Sequence, residues 1–269
     1  MGRSLGLLCA DLAQIMCEQV TGTPDTGSIN AFLDEALKVK GDGYYDDWYG
    51  RFYEGSHLNT TFNVTDFDGD TGEIKFIPPL SSENKVDNTD LYYMTVDYTP
   101  EELIGAINQA IVMVEDEALE DELDETVLVI ASTYEYPIPS TFSYIDTVIQ
   151  ESTADSGKFS VSSGKIKKFN ILRGGQRKLW FDPSVVSLTA GRKLRLVGQK
   201  KPKRLTADSD ICEISPAFLL QQAKAILHQS RIKGEGSDFE EHRSQMGIAQ
   251  GMANDARRRI QVPSTGWPI

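Results

Sequence analysis

The sequence predicts an α+β fold: a helical core bundle carrying an inserted antiparallel β-hairpin and a β-sandwich or barrel-like lobe. Three patterns predict it. Apolar residues recur at helical spacing near both ends of the chain and in its middle. Two β-type runs flank an Asp/Gly-rich turn near residue 70, and residues 126–204 break into short β-rich runs punctuated by Pro and Gly.

The elements follow in chain order. Leu5, Leu8, Leu12, Ile15 and Met16 share one helical stripe, and Ser28 precedes a second stripe of Ile29, Phe32, Leu33, Ala36 and Leu37, so two amphipathic helices open the chain. The aromatic cluster Tyr44, Tyr45, Trp48, Tyr49, Phe52 and Tyr53 also has helical spacing at 45, 48, 49 and 52. It reads as core or subunit contact in preference to a sugar-stacking platform. Thr60–Val64 and Glu73–Ile77 read as a hairpin around Asp66–Gly72. Asp66, Asp68 and Asp70 have the alternation of a calcium loop, but Gly69 is misplaced and Ile77 stands where the closing Glu belongs, so turn chemistry is expected.

Thr99-Pro100-Glu101-Glu102 predicts a helix start with a capping box, and Leu103, Ile107, Ala110, Ile111 and Val114 form the stripe behind it. The helix runs into eight acids within residues 115–125, read as a solvated face. Strands are expected at Thr126–Ile130, Tyr144–Ile149, Lys165–Leu172, Lys178–Phe181 and Lys193–Val197. Ser215-Pro216 opens another helix, and Ser237 with Glu240 caps a last one that ends at Arg257-Arg258-Arg259. Pro263, Gly266 and Pro268 keep residues 261–269 extended. The domain reading is a helical core of 1–57, 99–119 and 212–260, a β-hairpin insertion at 58–98, a β-rich lobe at 120–211, and a tail at 261–269.

With 269 residues, 40% of them hydrophobic, the chain can bury a sizeable core. Its net charge of −13 argues against a general nucleic-acid binder. Cys9, Cys17 and Cys212 are too few for a disulfide framework and read as small core side chains in a reducing cytosol. Asp11 and Glu18 interrupt the first apolar run, so neither a signal peptide nor a membrane span is expected, and the N-x-T matches at Asn59 and Asn63 read as chance.

Charge is segregated along the chain. Residues 1–157 hold 6 basic and 31 acidic side chains, whereas residues 158–204 hold 14 basic and 1 acidic. A nucleic-acid patch or complementarity between neighbouring subunits would each fit. The scarcity of interleaved aromatics favours protein contact. No phosphate-binding glycine loop, zinc-protease helix or serine-hydrolase elbow occurs, and His57, His228 and His242 are isolated, so no catalytic centre, metal or cofactor is expected. A carboxylate-dependent hydrolase is a third reading.

The residues then go further than the pattern. Arg195-Leu196-Val197-Gly198, Pro202, Leu205-Thr206-Ala207-Asp208-Ser209-Asp210 and Glu213-Ile214-Ser215-Pro216, leading into Ala223–Leu227, resemble the C-terminal part of head-to-tail adaptor (neck, or connector) proteins of tailed bacteriophages. Thr99–Ile104 with Ala106–Ala110 looks like the family's central helix. Tyr134–Pro139 with the strand to Val148 looks like its β segment, and the opening helix and Gly72–Leu80 also fit, while residues 150–194 match less well. The resemblance implies a structural virion protein, assembled in the host cytoplasm, that forms a ring, usually of twelve copies, below the portal. Such a ring extends the DNA channel without sequence-specific binding and offers a platform to downstream tail or nozzle proteins. An acidic surface suits a channel that passes DNA without gripping it.

Within that reading Lys165, Lys167, Lys168, Arg173, Lys200, Lys201 and Lys203 are expected to pair with acidic groups of a neighbouring subunit. Arg257, Arg258, Arg259, Val262, Trp267 and Ile269 are expected to dock on the portal or a neighbour, with Trp267 as anchor. The alternative function is a carbohydrate-binding or tail-fibre-associated module built on Tyr44–Tyr53.

Overall fold

In a computed structural model the structure describes residues 2–17, 19–81, 85–232, 237–258, 260 and 267–268. The chain divides into two compact units, residues 1–113 with 204–260, and residues 114–203 with 261–269. The first unit begins with β1 (Arg3–Ser4), α1 (Leu5–Met16), β2 (Gln19–Gly22), β3 (Thr26–Gly27) and β4 (Ala31–Leu33). It continues through β5 (Tyr49–Glu54), β6 (Thr60–Asp68), β7 (Glu73–Ile77), β8 (Leu91–Thr95) and α2 (Pro100–Val112). The second unit holds β9 (Glu120–Leu128), β10 (Glu135–Pro137), β11 (Phe142–Gln150), α3 (Val161–Gly164), β12 (Lys165–Ile166), β13 (Asn170–Leu172), β14 (Lys178–Trp180) and β15 (Lys193–Lys200). The chain returns to the first unit for β16 (Ile211–Cys212), α4 (Pro216–Arg231) and α5 (Ser237–Arg257), and β17 (Trp267–Pro268) belongs to the second.

The helical core bundle is overturned. Among the described residues strands dominate, and the first unit is organised by a seven-stranded antiparallel sheet, order β2-β8-β5-β6-β7-β4-β3, curled into a half-barrel. The hairpin read as an insertion is the centre of that sheet. Period-two alternation explains why: Phe62 and Val64 on β6 and Ile74 and Phe76 on β7 all point inward. A bulge between Val64 and Asp66 shifts the phase so that Phe67, not Asp66, is buried.

Two expected helices are absent for the same reason. Phe32 sits on β4, paired to β7, and its ring touches those of Phe52, Phe62, Phe76 and Tyr92 at centroid separations of 4.8–6.0 Å. Ser28–Leu37 therefore splits into a short strand and a 3₁₀ turn at Glu35–Val39. In the aromatic run, Asp47 has φ 65°, which a helix cannot contain, and the chain then enters β5. Shared i, i+3, i+4 spacing was satisfied here by strand residues converging on one aromatic core.

At Thr99 the capping box predicted from the sequence does open a helix. Thr99 and Glu102 make the capping box that opens α2, which buries Leu103, Ala106, Ile107, Ala110 and Ile111. The helix stops at Val112, so the acids beyond it belong to turns and to β9. α1, α2, α4 and α5 pack on one another in the pairs α1·α2, α1·α4, α2·α4 and α4·α5.

In the second unit β12-β11-β15-β9 form an antiparallel sheet, with β17 pairing beside β12 on β11, and β10-β14-β13 form a smaller one. Their shared core contains Tyr136, Phe142, Ile145, Val148, Leu179, Phe181, Leu194 and Leu196.

Candidate functional site

The segregated charges meet inside the second unit. Strand β9 carries Glu120, Asp121, Glu122, Asp124 and Glu125, and it pairs antiparallel with β15, which carries Lys193, Arg195 and Lys200. Lys200 lies 2.7 Å from Glu122, and Arg195 lies 2.6 Å from Glu125 while its guanidinium stacks over Phe159 at 4.1 Å. Lys201 reaches Glu115 at 2.7 Å and Asp116 at 2.8 Å. Residues 114–203 contain 13 basic and 13 acidic side chains, so this unit is neutral and the whole excess of −13 falls on the first.

Lys200 and Lys201, expected to meet a neighbouring subunit, are thus engaged within their own chain. Lys165, Lys167, Lys168, Arg173 and Lys203 are exposed. Arg258 is exposed and lies 3.5 Å from Asp255, and Arg257 is half-buried at the end of α5. The backbone of Trp267 and Pro268 pairs with Ile145 and Tyr144. Arg259, Val262 and Ile269 lie outside the described residues.

Two recesses open on the second unit. One of about 840 Å³ is lined by Thr126, Leu128, Ile130, Tyr136, Ile138 and Arg177 among others. The other, about 310 Å³, lies on the sheet face between Asp121, Leu123, Asp146 and Gln199. Leu123, Leu128 and Ile130 are 55%, 49% and 60% exposed, an apolar line on and just beyond the outer strand.

Buried polar groups in the first unit act as ties. Asp34 accepts from the Tyr92 hydroxyl at 2.6 Å, and Asp90 accepts from the His57 and Asp87 backbone N–H groups at 3.1 Å. Asn108 and the backbone of Leu205 exchange two hydrogen bonds at 2.8–2.9 Å. Gln222 on α4 and Gln250 on α5 do the same at 3.0–3.3 Å. His228 and His242, read as isolated, face each other with Nδ1 atoms 3.0 Å apart. Burial pushes the Cys9 thiol well above its ordinary range, which makes it a poor nucleophile.

Asp68 accepts from the Asp70 and Thr71 backbone N–H groups at 2.9 and 3.1 Å, while Asp66 pairs with Lys75 at 2.8 Å. The bond from the Thr71 backbone holds the Asp68 carboxyl below the usual range. These carboxylates close a turn and a cross-strand pair. Among the described residues no three His, Cys, Asp or Glu side chains are placed to hold one metal ion. Nor is any described helix long and apolar enough to cross a membrane.

Tyr45 and Trp48 are 2% and 4% exposed, and Phe52 is fully buried. Of the six rings, Tyr45, Trp48 and Phe52 are core, while Tyr44 is 36% exposed and Tyr49 and Tyr53 are half-buried. Pairing of complementary charge on two strands some 70 residues apart is the signal that sequence reading missed. No family model matches this chain, and no curated protein matches it.

Proposed function

We propose that the chain is a structural adaptor of a tailed bacteriophage, a ring component below the portal that extends the DNA channel and receives tail parts, with no catalytic role. The observation that carries this reading is where its polar groups are used. Arg51, Asp34, Asp90, Asp208 and Gln222 are buried and spent on hydrogen bonds between elements, while the recesses lie along an outer strand suited to protein contact.

Two further facts support it. The stretch that resembles the adaptors, Leu205–Pro216, is built into the first unit through Leu205, Asp208, Cys212 and Ile214, all buried. The net charge of −13 on that unit gives passing DNA no counterion-release attraction. The portal, neighbouring copies, and downstream tail or nozzle proteins are the partners in this reading, the location is the virion neck, and Arg257 to Ile269 supply a portal or neighbour contact. Adding the chain to DNA-filled heads that lack tails should bind at one vertex and make the heads competent for tail attachment. Heads that bind none of it would contradict the reading.

A further inference from the structure

The four-strand path of the second unit's sheet ends in two edges of opposite charge. On one side is β9, whose Glu122 and Glu125 are already paired inward to Lys200 and Arg195. Asp121 has no cation beside it among the described residues, and Asp124 accepts only from Thr126, by its backbone N–H at 3.0 Å and its hydroxyl at 2.9 Å. On the other side is β12, with Lys165 exposed and Lys167 and Lys168 exposed just beyond it. Among the described residues none of the three lysines forms an ion pair, and Lys167–Phe169 have no ladder partner.

An open sheet edge presents unpaired N–H and C=O groups that a further strand can take up. Strand direction permits a head-to-tail choice. Each step from β9 through β15 and β11 to β12 is antiparallel, so β12 runs opposite to β9. Copies placed head to tail in one orientation would therefore bring β12 of one against β9 of the next as another antiparallel pair. A two-fold would also pair either edge antiparallel with itself, and charge decides against it: β9 against β9 sets acid against acid, and β12 against β12 sets lysine against lysine, each unfavourable across a ladder.

We propose that the second unit's sheet continues from copy to copy, β12 of one subunit adding antiparallel to β9 of the next, with Lys167 facing Asp121 and Lys165 beside it on the same face, since Asp124 shares the opposite face with Leu196 and Ile166. The occupant of the open edge is a second copy of this chain. The contact is heterologous, the kind that closes into a ring and leaves no two-fold dimer. It rests on the ring reading above and supplies the surfaces through which such a ring would close.

The test uses full-length chains, with the portal present if the free chain is monomeric. One variant carries Asp121→Lys; a second carries Lys167→Glu. Each alone should need a roughly fivefold higher concentration to assemble, as expected for one exposed pair turned repulsive. Mixed one to one they should assemble again, because every junction then joins a reversed edge to its complement. Circular dichroism checks that both fold. As a second measurement, chains with Leu123→Cys and chains with Lys165→Cys, both also carrying Cys17→Ser, should crosslink on mixing and not separately.

If the variants assemble like wild type, or mixing restores nothing and no crosslink forms while rings still appear by electron microscopy, the edge contact is wrong and the ring reading stands. The same result is expected if a tail protein's strand occupies β9. If the wild-type chain forms no oligomer with or without the portal, both fail.

Discussion

Arg51 and Asp208, 157 residues apart in sequence, form a buried ion pair in which one donor, the Arg51 Nε–H, is shared between Oδ2 at 2.8 Å and Oδ1 at 3.1 Å. The Asn59 backbone N–H donates to the same carboxylate at 3.1 Å, and the Gly6 N–H donates to the Asp208 carbonyl at 3.1 Å. One residue of the adaptor-like stretch thereby ties β5, the turn before β6 and the start of α1. Removing one partner strands the other charge, so Asp208→Ala should cost about 3–5 kcal/mol. Arg51→Met with Asp208→Leu together should cost less than either single change. Urea unfolding checks both, and a loss below about 1 kcal/mol for Asp208→Ala would show the pair to be dispensable.

The facing histidines make stability depend on pH. Burial first, then Lys224 on its own helix and His242 on α5, push His228 down to about 4. Of the other helices packed on α4, α2 has its Glu102 engaged by Arg231, and α1 has its Asp11 paired with Arg3. A base depressed in the folded state is protonated first in the unfolded state. Its contribution is whole above pH about 6.5 and is lost as pH falls toward 4. We expect wild type to lose about 1–2 kcal/mol more than His228→Gln between pH 7 and pH 4.5. Equal losses in urea melts at the two pH values would remove His228 from the account.

Local signals were legible in the sequence, and distant pairing was not. The Thr99–Glu102 box and the Phe62/Phe76 hairpin are specified by residues within a few positions of each other, and both form as read. Phe32 and Tyr45–Phe52 carry helical spacing, yet β4 pairs with β7 and β5 with β8, contacts that no local window contains. The same limit hid Arg51–Asp208 and the β9–β15 charge ladder. The basic run near residue 200 looked like a surface in search of a partner because its partner lies some 70 residues upstream in the same sheet.

The Asp66–Gly72 loop should behave as a turn. Asp68→Ala removes the acceptor of two backbone N–H groups and should lower the urea midpoint slightly. Calcium at millimolar concentration should leave the melting temperature of wild type and variant unchanged. A calcium-dependent rise in wild type that the variant lacks would make the loop a metal site.

The C-terminal tail separates two roles. A chain ending at Arg259 loses β17, which pairs with Tyr144 and Ile145, and should keep its far-ultraviolet dichroism while attaching to portals more weakly. Undiminished attachment, measured by co-sedimentation, would confine the tail to its place on the β11 edge.

The most direct test of the adaptor reading is electron microscopy of the full chain mixed with its phage's portal. The account predicts a ring of density stacked below the portal and coaxial with its channel, with one copy of this chain per portal subunit position. Portals that remain bare in the presence of excess chain, or that carry it in isolated copies away from the channel axis, would contradict it.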